Sequence, residues 1–362
     1  MRKIQTVGII GQGYVGKAAS LACLQAGYKV IAVDKDKDVV RKLQKEISSG
    51  QDLYGISTGY SALSECEVII VCVPTPLTDG KPDYTLLYDV AKSVSPFISN
   101  QTLVVLESTV GVGFTRNTFV PLMTEQSGSD SVYFAYVPER IDPGSSLRYK
   151  DISRVVSGLT YVDRLIAKEF YSTIVTEIVQ ADSIEEAEAA KLLENSFRLL
   201  NIAFINEFAE ACSDRGLNAN EIVKLASSKS FGFMPFYPSA GAGGHCIPVD
   251  PEYLMESLGP INLLREAMIS NDIMTDKIIM KAGSLANKKI AIVGTSYKPG
   301  VADTRESAGM RLYDRLKSDG LNVYIADKKV DKDTDLAIIT VHDILRPDIP
   351  KTTKILDVSE GL

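Results

Sequence analysis

Cys246 lies in the stretch GAGGHCIPVDP, Gly241 to Pro251, with Gly241, Gly243, Gly244 and His245 ahead of it and Asp250 four residues behind. Glycines let backbone approach a ligand closely, and a neighbouring imidazole or carboxylate can alter the ionisation of a thiol. Together these residue types point to covalent catalysis by a cysteine. A second reading stays open, because a lone cysteine also serves as a small buried hydrophobe and His245 as a packing or hydrogen-bonding residue. Glu188, Lys191 and Asn195 recur at one-turn spacing in a helical pattern, so they project from one face. By themselves they read as a solvated charged stripe, which only context can promote.

The segment GIIGQGYVGKA places Gly11, Gly13 and Gly16 as G-x-G-x-x-G between an apolar strand and a helix, and Asp34 ends the next strand, VIAVD. Gly11 permits a tight turn, Gly13 lets a pyrophosphate reach the backbone, and Gly16 lets the helix pack on the strand. The helix N-terminus then faces phosphate charge. Asp34 is placed to hold ribose hydroxyls, which favours NAD over NADP, although Lys35 and Lys37 are close enough to soften that preference.

Positioning these groups requires a scaffold, and the pattern supplies one. The first half alternates β-branched runs (TVGII, KVIAV, EVIIVCV, TLVVLES, VYFAYV, RVVSG) with helical stretches, the mark of a parallel sheet covered by helices. From Asp182 a single long helix is expected, acidic in its first turns and stopped near Gly216. Further helices run to Asn287, broken by FGFMPFYPSAGAGGHCIPVDP, whose glycines and prolines forbid a helix interior. At KKIAIVGTSY a second, smaller α/β unit begins. The fold class is therefore α/β: a dinucleotide-binding unit over 1–181, a helical unit over 182–287 and a shortened α/β unit over 288–362. Leu192, Leu199, Ile202, Phe204 and Ile205 give the long helix more apolar surface than one covered side needs. Either a second copy of the chain or the chain's own second half covers it.

The chain has 362 residues, 45% hydrophobic and 23% charged, the balance of a globular protein able to bury large cores. A net charge of −7 argues against nucleic acid or an anionic membrane as partner and leaves a small molecule. Five cysteines without paired spacing imply reduced thiols, no metal site and a cytoplasmic home. No run of about 18 apolar residues reads as a membrane span, and the N-terminus enters its glycine turn too early for a signal peptide.

The co-ordered motifs GQGYVG, VCVPTP, EST, PER, AEAAKLLEN, GGHCIPVDP and YKPGVADTRES resemble the UDP-glucose/GDP-mannose dehydrogenase family along nearly the whole chain. FGFMPFYPSAGAGGHCIPVDP resembles the branch acting on UDP-N-acetylhexosamines. The resemblance implies NAD-dependent, four-electron oxidation of a sugar C6 alcohol to a carboxylate, in the service of polysaccharide biosynthesis. UDP-N-acetylglucosamine is the first expected substrate and UDP-glucose the nearest alternative, with a binding-only pseudoenzyme as the contrasting class.

By motif match, Cys246 attacks a C6 aldehyde and carries it to a thioester, while Lys191 and Asn195 stabilise oxyanion charge. Asp250 supports acid–base work, and Glu139 and Thr109 position or activate the hydrolytic water. Gly11, Gly13, Tyr14, Val15, Gly16, Asp34, Pro74, Thr75, Thr109 and Arg305 are assigned to NAD. Glu139, Arg140, Lys191, Asn195, Gly243, Gly244, His245, Tyr297 and Lys298 are assigned to the UDP-sugar, Lys298 to its phosphates. The resemblance also implies a homodimer built on the long helix. The sequence departs from the family in a shortened stretch after Asp34, a trimmed C-terminal unit, YPSAGAGG in place of a Pro-Gly-Pro-Gly form, and Ser359 where relatives often carry arginine.

Overall fold

The computed structural model describes residues 3–47, 54–125, 127–129, 131–141, 148–301, 303–327, 329–341, 347–359 and 361–362. The chain divides into two compact units, Met1–Leu193 with Glu252–Gly259, and Glu194–Pro251 with Pro260–Leu362.

In the first unit the chain runs β1 (Thr6–Ile10), α1 (Tyr14–Gln25), β2 (Lys29–Val33), α2 (Lys37–Ile47), β3 (Tyr54–Ser57) and β4 (Val68–Val71). A small hairpin, β5 (Leu77–Thr78) and β6 (Lys81–Pro82), leads to α3 (Thr85–Val94), β7 (Leu103–Leu106), α4 (Val120–Glu125) and β8 (Tyr133–Tyr136). Six strands form one parallel sheet in the order β3-β2-β1-β4-β7-β8. The order reverses between β1 and β4, which makes that edge a topological switch point.

Strands β1, β4 and β7 are buried along their whole length because helices cover both faces. Alternate residues supply two cores. Ile10, Ile69, Val71, Val104 and Leu106 pack with Leu87, Phe119 and Met123 on one face. Val7, Ile9, Ile70, Val105 and Ala135 pack with Ala19, Ala167 and Phe170 on the other. Pairing is level at the carboxyl ends: Ile10 lies opposite Val33 and Val71, Val71 opposite Leu106, and Leu106 opposite Tyr136. Gly11, Asp34, Cys72, Glu107 and Val137 therefore leave the sheet at one edge.

RVVSG does not join this sheet, contrary to its place among the expected parallel strands. It forms β9 (Arg154–Val156), which precedes α5 (Tyr161–Tyr171) and pairs with β10 (Ile178–Gln180). In β10, Val179 and Gln180 are exposed, so no apolar run marks the strand.

The long helix is α6 (Ile184–Ser213). Ser183 and Glu186 close its N-terminus reciprocally: the Glu186 amide donates to Ser183 Oγ, and the Ser183 amide to Glu186 Oε2. Its first turns are tied to the segment after β7 by Arg116 against Glu185 at 2.6 Å and by Glu188. Glu188 is 0% exposed rather than on a solvated stripe, and it accepts the amides of Gly113 (2.6 Å) and Thr115 (2.9 Å).

The second unit continues through α7 (Ala219–Ala226), the chain passes through α8 (Asp250–Leu258), which from Glu252 onward belongs to the first unit, and the second unit resumes with α9 (Asn262–Asp272) and α10 (Met274–Ala282). Then follow β11 (Lys289–Val293), α11 (Ala308–Ser318), β12 (Asn322–Ile325), β13 (Leu336–Ile339) and β14 (Lys354–Asp357). These strands make a parallel sheet in the order β12-β11-β13-β14. Leu312 and Leu316 of α11 and Ile278 of α10 cover one face, against Ile290, Ile292 and Ile338.

Burial pushes the Glu188 carboxyl up from 4.5 to about 7, against the pull of its Thr115 and Gly113 donors. A raised carboxyl favours folding fully at low pH, below its unfolded value, and that contribution is lost as pH rises through about 7. In thermal melts the native chain should therefore lose stability relative to Glu188→Gln as pH rises from about 5 to about 8, by at most about 3 kcal/mol. A stability difference independent of pH would contradict this assignment.

Candidate active site

The first unit offers a cradle for a dinucleotide at the carboxyl end of β1. Gly11 turns with φ 84°, and a Cβ on Gly16 would overlap the Gly11 carbonyl oxygen, so only glycine lets α1 approach β1 this closely. A Cβ on Gly13 would meet nothing within 4 Å. Gly13 and Tyr14 are exposed and Val15 half-buried where α1 begins, leaving its first amides open to an anion. Asp34 is oriented by backbone, since its Oδ2 accepts the Gln12 amide at 2.7 Å and its Oδ1 the Asp36 amide at 2.9 Å. Each carboxylate oxygen retains capacity for a ribose hydroxyl. These residues fit NAD: α1 for the pyrophosphate, Gly13 for its approach and Asp34 for the ribose.

Gln12 has no signal in the sequence, being a variable position of the glycine motif, yet it braces the turn. Its Nε2 donates to the Ile9 carbonyl and its Oε1 accepts from Ser20. Beyond β4, exposed Pro74 and half-buried Thr75 lie in a loop held by Ser108 Oγ on the Val73 carbonyl (2.8 Å) and Tyr253 Oη on the Pro76 carbonyl (3.1 Å). Thr109 is half-buried one residue further along the loop after β7. Glu139, after β8, is 8% exposed and accepts from the Ile141 amide and from Arg154 at 3.3 Å. Arg140 turns away to the Ser153 carbonyl and hydroxyl.

In the second unit, Cys246 is half-buried, one turn ahead of α8, and its carbonyl accepts the Asp250 amide at 2.9 Å. Asp250 is 2% exposed, and Asn195 Nδ2 donates to its Oδ2 at 2.6 Å. Asn195 thus orients a carboxylate beside the cysteine turn as well as presenting the helix face expected from its spacing. Lys191, half-buried, lies one turn earlier on α6.

The glycine loop is clamped from three directions. Asn271 Oδ1 accepts the Ala242 amide at 2.7 Å while its Nδ2 donates to the Ala242 carbonyl, which also accepts from Arg311 Nη2 at 2.9 Å. Asn206 Oδ1 accepts the Ser239 amide. Gly244 has φ 85° and lies so close to the Tyr297 ring that a Cβ would touch it at 3.0 Å. A Cβ on Gly243 would meet the Glu306 carbonyl at 2.7 Å. His245 is exposed, its Nδ1 3.8 Å from Asp303 Oδ2, and Asp303 is engaged by Arg305 at 2.6 Å. That bond holds the Asp303 carboxyl below its usual range. Lys298 is half-buried in the turn after β11, and Ala302 of the same motif lies outside the described residues.

The structure therefore brings Cys246, Asp250, Asn195, Gly243, Gly244, His245, Tyr297 and Lys298 into one unit together with Arg305, which the sequence assigned to NAD, and the remaining NAD residues with Glu139, Arg140 and Lys191 into the other. Three other thiols are unsuited to nucleophilic work. Burial raises Cys23, pushes Cys66 up to about 12, and with Glu107 raises Cys72 well above its ordinary value.

Residues 5–175 match the NAD binding domain of the UDP-glucose/GDP-mannose dehydrogenase family, residues 185–272 its central domain and residues 291–352 its UDP binding domain. The chain is 34% identical to UDP-N-acetyl-D-mannosamine dehydrogenase of Methanocaldococcus jannaschii, over 91% of this chain and 82% of that relative. It is 32% identical to Protein CapL of Staphylococcus aureus, over 91% and 83% of the two chains. A solved structure of a UDP-D-ManNAc dehydrogenase from Pyrococcus horikoshii shares the fold, with a TM-score of 0.86 at 24% identity over 99% of this chain and 100% of that one.

Asp34→Ala removes the acceptor for the ribose hydroxyls and the partner of the Gln12 amide. The KM for NAD should rise about tenfold, equivalent to about 1.4 kcal/mol, while that for NADP changes little. Kinetics with both cofactors check this, and an equal rise in both would exclude a discriminating role.

Proposed function

The chain belongs to the UDP-glucose/GDP-mannose dehydrogenase family and is an NAD-dependent nucleotide-sugar dehydrogenase, and on that premise we propose that it oxidises the C6 alcohol of a UDP-N-acetylhexosamine to the carboxylate through Cys246. The carrying observation is the half-buried cysteine in a clamped glycine loop, with Asp250 and Asn195 hydrogen-bonded behind it. The names of the relatives support UDP-N-acetyl-D-mannosamine as the first substrate to assay. UDP-N-acetylglucosamine, the expectation from sequence, follows as its C2 epimer.

Bound at Gly13 and Asp34, NAD supplies the acceptor for each hydride that the carbon loses. Cys246 Sγ adds to the C6 aldehyde and holds it as a thiohemiacetal, then as a thioester, so no free aldehyde escapes. Lys191 and Asn195 stabilise negative charge on the C6 oxygen, and Asp250 handles the thiol proton. Thr109 and Glu139 position water. Its oxygen bonds to C6, the C6–S bond breaks, and its proton passes to Glu139. In sum an alcohol, two NAD+ and one water give a carboxylate, two NADH and three protons.

The nucleotide falls to the second α/β unit, with Tyr297 and Lys298 at its glycine turn, and the three-part division at 181 and 287 follows the same roles. Five unbridged cysteines support a cytoplasmic home, and the uronic acid formed is suited to polysaccharide biosynthesis. Among the described residues no helix is long and apolar enough to cross a membrane.

Of the apolar residues the sequence indicated on α6, Phe204 is left bare for a homodimer, while others are not. Leu192, Leu199 and Ile205 are buried by the chain itself, at 0%, 1% and 5% exposure, whereas Leu193, Phe197 and Phe204 form an uncovered stripe. That stripe supports a second copy as its cover.

Each sugar oxidised should yield two NADH, and Cys246→Ser should lower carboxylate formation by about a thousandfold or more while UDP-sugar and NAD still bind. A ratio of one, or an active serine variant, would overturn the thioester route. Light scattering at micromolar concentration should give a dimer mass, reduced to monomer by Phe204→Glu. A native monomer of full activity would exclude the dimer.

A further inference from the structure

Beneath the carboxyl edge of the first unit's sheet lies a charged cluster to which the chemistry above assigns no role. Arg154, at the start of β9, is 0% exposed. Its Nη1 donates to the Pro138 carbonyl and to Glu139 Oε1, both at 3.3 Å, and its guanidinium lies over the Tyr149 ring, 4.0 Å from the centroid. Its Nε and Nη2 are buried without a hydrogen-bond partner. The hydroxyls of Tyr149 and Tyr171 both donate to Glu107 Oε1, at 2.9 and 2.6 Å, and the Cys72 thiol faces Oε2 at 3.6 Å.

Folding does not call for this arrangement. A dry guanidinium with two unsatisfied N–H groups costs stability, and apolar side chains of similar volume would fill the site at least as well. What the arginine does is fix one carboxylate by one oxygen. Glu139 Oε1 is occupied by Arg154 and by the Ile141 amide, while Oε2 has no partner among the described residues and keeps solvent access, in a side chain only 10% exposed. Burial raises the Glu107 carboxyl despite Arg154 and the tyrosine donors.

We propose that Arg154 is a positioning residue for the hydrolytic half of the reaction: it pins Glu139 through Oε1 and leaves Oε2 to act as the base. The inference rests on the thioester reading. In the assisted step Oε2 takes a proton from water, the water oxygen bonds to C6, and Cys246 departs as thiolate. No electron acceptor is involved, so both hydride transfers are complete before Arg154 matters.

The experiment compares Arg154→Lys, Glu139→Gln and the double variant with the native enzyme, using rapid-quench intact mass, the NADH burst, NAD affinity and thermal melting. Arg154→Lys should keep NAD affinity and a burst of two NADH per site, lose about a hundredfold in steady-state turnover, and accumulate an acyl adduct on Cys246. Glu139→Gln should do the same, and the double variant should be no slower than Glu139→Gln. A slowed burst without adduct in Arg154→Lys, or multiplicative losses in the double variant, would overturn the positioning role. If Arg154→Lys does not fold, Glu107→Gln/Arg154→Gln takes its place with the same outcomes. Adduct in Glu139→Gln but not in the arginine variant would defeat this inference alone. Absence of adduct in Glu139→Gln would defeat the thioester reading and this inference with it.

Discussion

Level parallel pairing of the strands around β1 is the constraint on which the first unit's chemistry depends. Because Ile10, Val33, Val71, Leu106 and Tyr136 lie in one line across the sheet, five loops emerge at the same edge. Parallel strands require a crossover between each pair, so that edge collects only loops that follow strands. A slip of one residue in any strand would exchange its two buried faces and withdraw its loop from the edge. The close seat of α1 at Gly16 serves the same end, since a side chain there would push the helix N-terminus off the glycine turn.

Charge is buried in this protein where position matters. Glu188 takes the amides of Gly113 and Thr115 and so couples the start of α6, three residues before Lys191, to the loop that follows Thr109. Arg154 and Glu107 sit below the loops of β4, β7 and β8 in a similar way. Each is expensive to desolvate and would be replaceable if packing alone were at stake. Directional bonds in a low-dielectric interior hold geometry that apolar contacts leave loose.

The cysteine loop solves the same problem with neutral groups. Glycines allow the chain to pass against Tyr297 and the Glu306 carbonyl, but they also leave it without side chains to pack. Asn271 compensates by acting as a peptide group, satisfying both the amide and the carbonyl of Ala242, with Arg311 as a second donor to that carbonyl. The loop is thereby held by directional bonds in place of side-chain packing.

Local pattern alone determined much of this protein. Continuous β-branched runs marked the buried strands, the glycine spacing marked the strand–turn–helix cradle, and the composition around Cys246 singled out one thiol of five. These features are short-range, so residue type and interval encode them directly. Tertiary structure alone decided which charges are buried and which apolar residues are bare. Glu188 and Lys191 carry the same helical signature, yet one is sealed and the other half-open. Leu192 and Leu193 are adjacent and opposite in burial. Arg154 at the head of RVV and Glu107 at the end of LVVL are read as strand margins, and Asn271 as one polar residue of a helix. Their partners lie between 15 and 64 residues away in sequence, at Glu139, Tyr171 and Ala242. Periodicity states which face a residue occupies, whereas only the assembled chain states what covers that face.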